Sequence, residues 1–447
     1  MKLKDLLNCD SVISYEFADT GQKVRGGGID SRTLEHDEIY FCLKGARADG
    51  HDFISQLKDK AAVSVVDRDF INTERYPVIY SKNVEKTLAE FAAKWRKYHK
   101  AKIFAITGSN GKTTTKEMLV KILSENKNIV FTHKNNNNHI GVPLTLFNIG
   151  SDTETAIVEM GTNSPGEIKF LTRICDPDAG LITNIGDAHL EKLGDKDGVY
   201  KEKTALFEYL YKKGGRTVVN TDDEYLKNWD RGDIVTYGSS QEADHWFENI
   251  RVTDSGYPEF DYRGLPIRMK VAGLLNIKNA LAAAACASVL SIDKKQIAKG
   301  LKEYTSFEKR YEQIKIKNSS VLLDCYNANP TSVEEFLKDL SSMNPEYTVI
   351  LGDMHELGKD AVSYHAGVIK KAADLGFKKI FLTGELMKEA LKTIDRIDNI
   401  KHFTQFKELR SAFEQETENG SFIAIKGSRR AELEKLLEGI DVKYNKE

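Results

Sequence analysis

The chain lacks long apolar runs, a strong net charge and a cysteine framework. No apolar run in its 447 residues approaches membrane-spanning length, and the first four residues, Met-Lys-Leu-Lys, do not resemble a signal peptide. The formal net charge of −2 gives no electrostatic footprint for nucleic acid. We therefore expect no membrane insertion and no nucleic-acid partner, and an anionic substrate must be held by local clusters of cations.

Cysteine is scarce and scattered along the chain. The five cysteines are odd in number and have no metal-site spacing: Cys9, Cys42, Cys175, Cys286 and Cys325. Scattered cysteines of this kind are typical of the reduced thiols of cytosolic proteins. Together with 40% hydrophobic and 30% charged residues, they predict a cytoplasmic enzyme. Its length predicts two to four domains.

One glycine-rich segment has the features of a phosphate-binding loop. Residues 103–111 are typical of a short buried strand and a tight turn, and a helical pattern starts at Lys112. Gly108 and Gly111 let the backbone N–H groups point inward, and the helix N-terminus adds partial positive charge. Lys112 would then reach the terminal phosphates of a nucleotide, and the Thr113 hydroxyl would bind Mg²⁺. The alternative is a chance glycine-rich turn.

The patterning predicts an α/β protein of three domains. Residues 1–82 form a small mixed α/β domain, and residues 83–310 form a central phosphate-loop domain with a parallel sheet. In residues 311–447 strands alternate with helices, which predicts a Rossmann-like parallel sheet with helices on both faces. No G-x-G-x-x-G segment accompanies that sheet, so no dinucleotide is expected. Internal repeats and disordered tails are also missing from the sequence.

Some local elements can be predicted more closely. Residues 244–271 alternate in the manner of β-hairpins, and the alanine-rich stretch after Gly273 predicts a buried helix. Ser332 and Glu335 have the spacing of a helix capping box. A last helix is expected after Arg430.

Polar residues follow two strands of the central domain. Glu159 ends the strand 155–159, and His189 lies just beyond the strand 179–184. The carboxyl ends of neighbouring parallel strands are where metal ligands of phosphate-loop enzymes lie. Taken alone, either side chain could instead be structural or exposed. The four asparagines 135–138 disfavour helix and strand, and they are either a ligand-binding loop or low-complexity filler.

Three cations stand out in the first domain. They are Arg32 in Asp-Ser-Arg, Lys44 before a glycine, and His51 in Asp-Gly-His. Together they could surround an anionic ligand. The alternative is that each is an ordinary surface residue.

Several motifs together resemble the Mur ligases, the ATP-dependent amide-forming enzymes of peptidoglycan precursor synthesis. They are Thr107-Gly-Ser-Asn-Gly-Lys-Thr-Thr114, Glu159, His189, Asn276-x-x-Asn279-Ala280, Arg310 and Lys426-Gly-Ser-Arg429. These motifs span all three predicted domains. Asp324-Cys-Tyr-Asn-Ala-Asn-Pro330 resembles the family member that adds D-alanyl-D-alanine, whereas sister ligases carry a His-containing phrase there.

The resemblance implies a ligase that joins D-alanyl-D-alanine to UDP-N-acetylmuramoyl-tripeptide through an acyl phosphate. ATP and Mg²⁺ would be its cofactors, with an N6-carboxylysine at Lys203, and it would act as a cytoplasmic monomer. Residues 1–82 would bind the UDP-substrate, residues 83–310 would bind ATP, and residues 311–447 would bind D-alanyl-D-alanine. The alternative for Lys203 is a solvated surface lysine, and Lys201 is the second candidate for carboxylation.

The resemblance also implies residue roles. The catalytic residues would be Lys112, Glu159, His189 and Lys203, and the metal ligands Thr113, Glu159, His189 and Lys203. The nucleotide would be bound by Gly108, Ser109, Asn110, Gly111, Lys112, Thr113, Thr114, Asn276, Asn279, Arg310 and Asp324. The substrates would be bound by Ser31, Arg32, Lys44, Gly45, Asp49, Gly50, His51, Asn137, Asn138, Tyr326, Asn327, Asn329, Lys426, Ser428 and Arg429.

The sequence departs from the family pattern at four positions. Leu275 stands where the family often has a His beside the adenine contact, and His139 stands where it usually has an acidic residue. Lys309, before Arg310, and Arg430 each stand where a Gly is common. These changes would alter affinities and remove no catalytic group.

Three other functions compete with this one. They are a sister Mur ligase or folylpolyglutamate synthase, a non-catalytic nucleotide-dependent module, and a phosphate-loop kinase or GTPase. The 324–330 motif argues against the first, and the retained catalytic set argues against the second. The third would leave the last domain and the asparagine run without a role.

Overall fold

The structure is a computed structural model that describes residues 1–125, 127–253, 256–307, 309–343 and 346–444. Within these residues the strands form four sheets. No helix among them is long and apolar enough to span a membrane.

The first sheet has five strands. In spatial order they are Val12–Glu16, Val78–Ser81, Ala61–Asp67, Glu38–Phe41 and Gly26–Gly28. All pairs are parallel except the outer pair formed by Val12–Glu16. The helix Val84–Tyr98 buries its apolar face against this sheet and against helices of the central region, with Asn83 as its N-cap. The short helices Leu3–Leu7 and Gly50–Leu57 complete the region.

The central sheet has six parallel strands, as predicted for this region. In spatial order they are Asp233–Tyr237, Arg216–Asn220, Ala179–Ile182, Lys102–Thr107, Thr155–Glu159 and Ile129–Phe131. Because the strands are parallel, their carboxyl ends lie at one edge of the sheet. Thr107, Glu159 and the segment after Ile182 therefore come together at this edge.

Eight helices and a small sheet surround the central strands within the described residues. The helices are Lys112–Leu123, Gly141–Phe147, Glu167–Cys175, Leu190–Leu193, Lys196–Lys203, Ala205–Lys213, Leu275–Val289 and Lys294–Glu303. The alanine-rich helix Leu275–Val289 packs against Lys112–Leu123, and its small side chains permit close approach. The predicted hairpins are the antiparallel strands Glu248–Val252, Pro258–Tyr262 and Leu265–Arg268.

The last sheet has seven strands. In spatial order they are Ile400–Phe403, Lys379–Thr383, Thr348–Gly352, Phe422–Lys426, Ser319–Asp324, Glu312–Ile316 and Lys443–Tyr444. The first five are parallel, as predicted, and the last two are antiparallel strands that the pattern did not reveal. The helices Pro330–Met343, Ala361–Asp374, Glu385–Leu391 and Phe406–Glu418 cover both faces, so that Phe336 and Phe413 lie in separate cores.

The predicted capping box at Ser332 and Glu335 was wrong. The helix already begins at Pro330, and the side chain of the preceding residue, Asn329, caps it. The Ser332 N–H donates to Asn329 Oδ1 at 2.8 Å, and the Asn329 N–H donates to Ser332 Oγ at 3.0 Å. Glu335 instead forms an ion pair with Lys278 at 3.2 Å.

The predicted last helix was also wrong. After the final long strand the chain forms two short 3₁₀ turns, Arg429–Ala431 and Leu433–Leu437. Glu432 lies between them with a left-handed φ of 47°. A left-handed residue cannot continue a right-handed helix, so each turn stays short.

Candidate active site

The glycine-rich segment forms a tight loop between the strand Lys102–Thr107 and the helix Lys112–Leu123. Gly108 and Gly111 have φ values of +146° and +78°, which side-chain-bearing residues rarely adopt. A Cβ atom at Gly108 would also collide with Thr183, and one at Gly111 with Asn279. Both glycines are therefore required by the loop, and its N–H groups can approach a phosphate closely.

Two lysine side chains donate hydrogen bonds to the same carbonyl group of this loop. Lys112 Nζ donates to Gly108 O at 2.6 Å, and Lys203 Nζ donates to the same oxygen at 3.0 Å. Burial lowers the pKa of Lys112 to about 8, although Glu159 acts in the opposite direction. Burial, followed by the charge of Lys112, lowers the pKa of Lys203 well below its usual value. Lys203 therefore loses its proton to give the neutral amine more readily than an ordinary lysine does.

Glu159 lies at the end of the neighbouring strand and is buried. Its Oε1 atom accepts hydrogen bonds from the Thr113 hydroxyl at 3.1 Å and from the Asn137 amide at 2.8 Å. Its Oε2 atom is buried without a hydrogen-bond partner in the described chain. Lys116 Nζ lies 3.8 Å from Oε2 and donates to Thr132 O at 2.5 Å. One carboxylate oxygen is thus left for a further ligand.

These donors fit Mg²⁺. A carboxylate and a hydroxyl are hard oxygen ligands, and the buried Glu159 Oε2 has an unused lone pair. The described residues contain no group of three or more His, Cys, Asp or Glu side chains arranged to hold a metal. Mg²⁺ does not need such a group, because it usually takes one or two carboxylates together with substrate phosphates and water.

His189 is hydrogen-bonded to a residue of the last sheet region, Glu356. It has a left-handed φ of 57° and immediately precedes the short helix Leu190–Leu193. Its Nδ1 atom lies 2.5 Å from Glu356 Oε2. This hydrogen bond is the main cause of a lowered pKa of Glu356. Nε2 of His189 has no hydrogen-bond partner in the described chain, and the residue lines the main cleft.

The main cleft has a volume of about 610 Å³ and lies between the central and last sheet regions. It brings together seventeen of the predicted site residues: Ser109, Asn110, Gly111, Lys112, Thr113, Thr114, Asn137, Asn138, Glu159, His189, Asn276, Asn279, Arg310, Asp324, Tyr326, Asn327 and Lys426. A neighbouring cavity of about 580 Å³ is lined by His189 and Asn327 as well, and by Asn329, Ser428 and Arg429. Lys203 lies beneath the loop.

Direct contacts join the two sides of the cleft. Asn110 and Asn329 form a reciprocal amide pair, with Asn329 Nδ2 donating to Asn110 Oδ1 at 2.8 Å. Thr331 Oγ1 donates to Asp187 Oδ2 at 2.8 Å and accepts from the Asp187 N–H at 3.0 Å. The tip of the phosphate loop is therefore hydrogen-bonded to the segment before the helix Pro330–Met343.

Cations and one aromatic ring dominate the far wall of the cleft. The Arg310 guanidinium lies 3.8 Å from the centre of the Tyr326 ring, and that of Arg429 lies 5.4 Å from it. Lys426 is buried and donates to Asp324 Oδ2 at 2.5 Å. This wall is suited to an anionic ligand facing the phosphate loop.

The asparagines of the alanine-rich helix lie at another side of the cleft. Asn276 is buried and donates to Ala272 O at 2.8 Å. Asn279 accepts a hydrogen bond from Thr115 at 3.4 Å, beside the phosphate loop. The Asn276 amide is thus partly used within its own turn.

Three family models match the chain in order. They are the Mur ligase family catalytic domain over residues 23–100, the Mur ligase middle domain over 106–287, and the Mur ligase glutamate ligase domain over 309–429. The UDP-N-acetylmuramoyl-tripeptide–D-alanyl-D-alanine ligase of Bacillus subtilis (strain 168) is 31% identical over 428 residues, which cover 93% of each chain. The chain belongs to the Mur ligase family. The Escherichia coli (strain K12) protein of the same name is 31% identical, with 92% of each chain covered.

Solved structures of Mur ligases share the fold. The chain matches crystal structure I of MurF from Acinetobacter baumannii with a TM-score of 0.82 and 28% identity, covering 92% of both chains. It matches MurF ligase from Thermotoga maritima in complex with ADP with a TM-score of 0.81 and 22% identity, covering 93% of this chain and 96% of the other. The expected family and the three-part α/β fold are confirmed.

The amino-terminal residues predicted from the Mur ligase resemblance do not line the main cleft. Arg32 forms an ion pair with Asp30 at 2.6 Å, and Lys44 forms one with Asp67 at 2.7 Å. His51 accepts from the Asp67 N–H through Nε2 at 3.1 Å, so its Nδ1 donates to the nearby carboxylate of Asp49. Ser31 and Gly45 lie in the connecting segments beside Arg32 and Lys44, and Gly50 begins the short helix Gly50–Leu57 that carries His51.

Sequence reasoning missed two residues of this Mur ligase site. Lys116 lies one helical turn after Lys112, and its Nζ atom is 3.8 Å from Glu159 Oε2. Its spacing of four residues was a usable signal, because positions i and i+4 share a helix face. Glu356 contacts His189 from 167 residues away. No local pattern could indicate that pair.

Proposed function

We propose that this Mur ligase joins D-alanyl-D-alanine to UDP-N-acetylmuramoyl-tripeptide with hydrolysis of ATP to ADP and phosphate. The observation that carries the proposal is the main cleft. It places Arg310 and two residues of the 324–330 motif, Asp324 and Tyr326, in one cleft with the phosphate loop. The chain also matches a ligase of that name over 93% of both lengths.

The chemistry explains why ATP is needed. A carboxylate is a poor electrophile, so its oxygen first attacks the γ-phosphorus of ATP, the bond to the β–γ bridging oxygen breaks, and ADP leaves. The amine of D-alanyl-D-alanine then attacks the carbonyl carbon of the acyl phosphate. The tetrahedral intermediate loses phosphate and a proton to give the amide. Two anions must meet in the first step, and this sets what the protein has to supply.

The phosphate loop supplies most of that charge compensation. Lys112 and the N-terminus of the helix Lys112–Leu123 would stabilise negative charge on the transferred phosphoryl group. Lys112 donates to two loop carbonyls, Gly108 O and Ser109 O. ATP would therefore replace these carbonyls as the partner of the ammonium. Arg310 would neutralise phosphate charge from the opposite wall.

Mg²⁺ would be held by Glu159 and Thr113, with His189 and a carboxylated Lys203 as further ligands. When bound, it supplies positive charge to the phosphates and fixes their orientation. Carboxylation of Lys203 requires a neutral amine, and burial favours that form. A metal ion repels an ammonium group. The carbamate formed on Lys203 would instead offer two oxygen atoms, the type of ligand that Mg²⁺ prefers.

The remaining assignments concern the outer regions. Residues 1–82 would bind the UDP end of the acceptor, 83–310 would bind ATP, and 311–447 would bind D-alanyl-D-alanine through Asn327, Asn329, Ser428 and Arg429. Asn276 and Asn279 would face the adenine. The monomeric state and the cytoplasmic location stay predictions.

Phosphate release measured with purified protein tests the proposed reaction. The expected result is ATP-dependent release only when UDP-N-acetylmuramoyl-tripeptide and D-alanyl-D-alanine are both present, together with the pentapeptide product by mass spectrometry. Single amino acids and the substrates of sister ligases serve as controls. Turnover with a single amino acid instead of the dipeptide would contradict the proposal, and release without any amine would indicate a nucleotide hydrolase.

A further inference from the structure

The contact between His189 and Glu356 has features that set it apart from a surface ion pair. His189 belongs to the loop after a central strand, and Glu356 to the loop after the strand Thr348–Gly352 of the last sheet. The two atoms Nδ1 and Oε2 are 2.5 Å apart, and the His189 side chain is 18% exposed. The contact therefore joins the two sides of the cleft through a partly buried imidazole and a half-exposed carboxylate.

Both residues have an unusual backbone conformation. The φ angles of His189 and Glu356 are 57° and 64°, in the left-handed region that non-glycine residues rarely adopt. The Glu191 N–H donates to Glu356 O at 3.0 Å, which fixes the two backbones against each other. Strained residues persist only where the surrounding structure holds them, and they cluster at functional sites.

The hydrogen bond determines which nitrogen of His189 is free. A carboxylate can only accept, so Nδ1 must carry the proton that is donated to Glu356. The neutral ring then has its lone pair on Nε2, which has no hydrogen-bond partner in the described chain. Neutral imidazole donating its other N–H to a carboxylate is the usual arrangement of a metal-binding histidine.

We propose that Glu356 is a positioning residue that fixes the tautomer and ring orientation of His189, so that the metal site of the central region is complete only while the last region is docked. The inference rests on the proposed function for the identity of the metal. It adds that a residue from the opposite side of the cleft acts on Mg²⁺ through His189 without binding the metal itself.

The chain offers a matched control at Glu432. This residue is also an exposed glutamate with a left-handed φ, of 47°, and it lines the same neighbouring cavity as Glu356. Its carboxylate pairs with Lys435 and makes no contact with His189. Glu432→Ala therefore removes the same charge at a similarly left-handed position without affecting the imidazole.

The first measurement is the tautomer of His189 by ¹⁵N NMR, on the full chain without nucleotide or metal. The chain has ten histidines, and the spectrum of His189→Asn assigns the signal. The wild type and Glu432→Ala should show the Nδ1–H form, whereas Glu356→Ala should shift His189 towards the Nε2–H form preferred by free imidazole. An unchanged tautomer in Glu356→Ala would overturn the proposal, whatever reaction the enzyme catalyses.

The second measurement is binding of a non-hydrolysable ATP analogue by calorimetry over a range of Mg²⁺ concentrations. Glu356→Ala should raise the Mg²⁺ concentration for half-maximal binding by about 10- to 100-fold, as losses of such carboxylate partners typically do. Glu356→Gln, whose amide oxygen still accepts from Nδ1, should show a smaller shift. Binding without Mg²⁺ should stay unchanged in both variants.

A double-variant comparison separates positioning from simple docking of the two regions. If Glu356 acts through His189, then Glu356→Ala should add nothing to His189→Ala. Equal weakening of binding with and without Mg²⁺, or an additive effect in the double variant, would contradict the proposal. If the tautomer and Mg²⁺ results hold while the dipeptide-dependent reaction fails, the proposed function alone is wrong.

Discussion

The cleft and the amino-terminal region differ in how their charged side chains are buried and partnered. In the cleft, Glu159 and Lys203 are each 1% exposed. Glu159 Oε2 has no hydrogen-bond partner among the described residues, and Lys203 shares a carbonyl acceptor with Lys112. In the amino-terminal region, the side chains of Arg32 and Lys44 are 84% and 63% exposed, and each has its own carboxylate partner. Buried groups with unused bonding capacity mark a site prepared for a ligand, whereas satisfied surface pairs do not.

This difference predicts how each region responds to substitution. A buried charge interacts through a low dielectric, so its removal has a large effect. An exposed pair is screened by water and salt, and its members can exchange partners at little cost. The variants below test this contrast, and each has a neighbouring residue as its control where the chain provides one.

The largest effect is expected for Lys112→Ala. Loss of a charge-stabilising donor at the transferred phosphoryl group should reduce kcat by at least about 10²–10³-fold. Lys121→Ala, on the exposed part of the same helix, should leave the rate unchanged. Phosphate release and circular dichroism of both variants provide the measurement. Near-normal turnover of a folded Lys112→Ala would remove the phosphate loop from the mechanism.

The next effect is expected for Lys203→Ala. Loss of a metal-binding carbamate should lower the rate by about 10²-fold, as for other lost electrostatic partners in active sites. Acetate should restore part of the activity by supplying carboxylate oxygens, and it should not affect Lys201→Ala, which changes an exposed lysine of the same helix. Labelling with ¹³C-bicarbonate should give a carbamate signal in the wild type. Full activity of Lys203→Ala in bicarbonate-free buffer would exclude the carboxylated form.

A stability effect is expected for Lys116→Met. The substitution leaves the buried Thr132 carbonyl without its donor and Glu159 without the ammonium 3.8 Å from Oε2. An unsatisfied buried acceptor costs about 1–3 kcal/mol, so the free energy of unfolding should fall by about that amount in urea titrations. Lys121→Met should change it little. A stability equal to the wild type would show that the buried ammonium is not required.

The smallest effect is expected for Arg32→Ala. The exposed Arg32 must leave Asp30 to bind the UDP-substrate, so the KM for that substrate should rise only roughly three- to tenfold, with the KM for ATP unchanged. Arg25→Ala provides the control, because Arg25 is similarly exposed and pairs with Asp37 at 3.7 Å. Equal changes in both KM values would indicate a structural role for Arg32 and weaken the assignment of residues 1–82.

The sequence alone was sufficient to predict the phosphate loop and the strand that ends at Glu159. It was also sufficient to predict the alternation of strands and helices that forms the parallel sheets. These features depend on residues close together in the chain: glycines at positions with positive φ, a lysine at the helix start, and apolar runs with a strand or helix period. It also sufficed for the family, because the motifs are specific in combination. Even the local predictions failed where a neighbour intervened, as when Asn329 replaced Ser332 as the helix cap.

Only the tertiary structure decided which distant groups meet. The pairs Asn110–Asn329 and His189–Glu356 join residues separated by 219 and 167 positions. The tertiary structure also decides whether a charged side chain is buried. Lys203 is buried in the cleft region, whereas Arg32 is exposed and paired with Asp30. The physical reason is that hydrogen bonds and dielectric screening depend on distances in space, whereas sequence patterns report only the local periodicity of the chain.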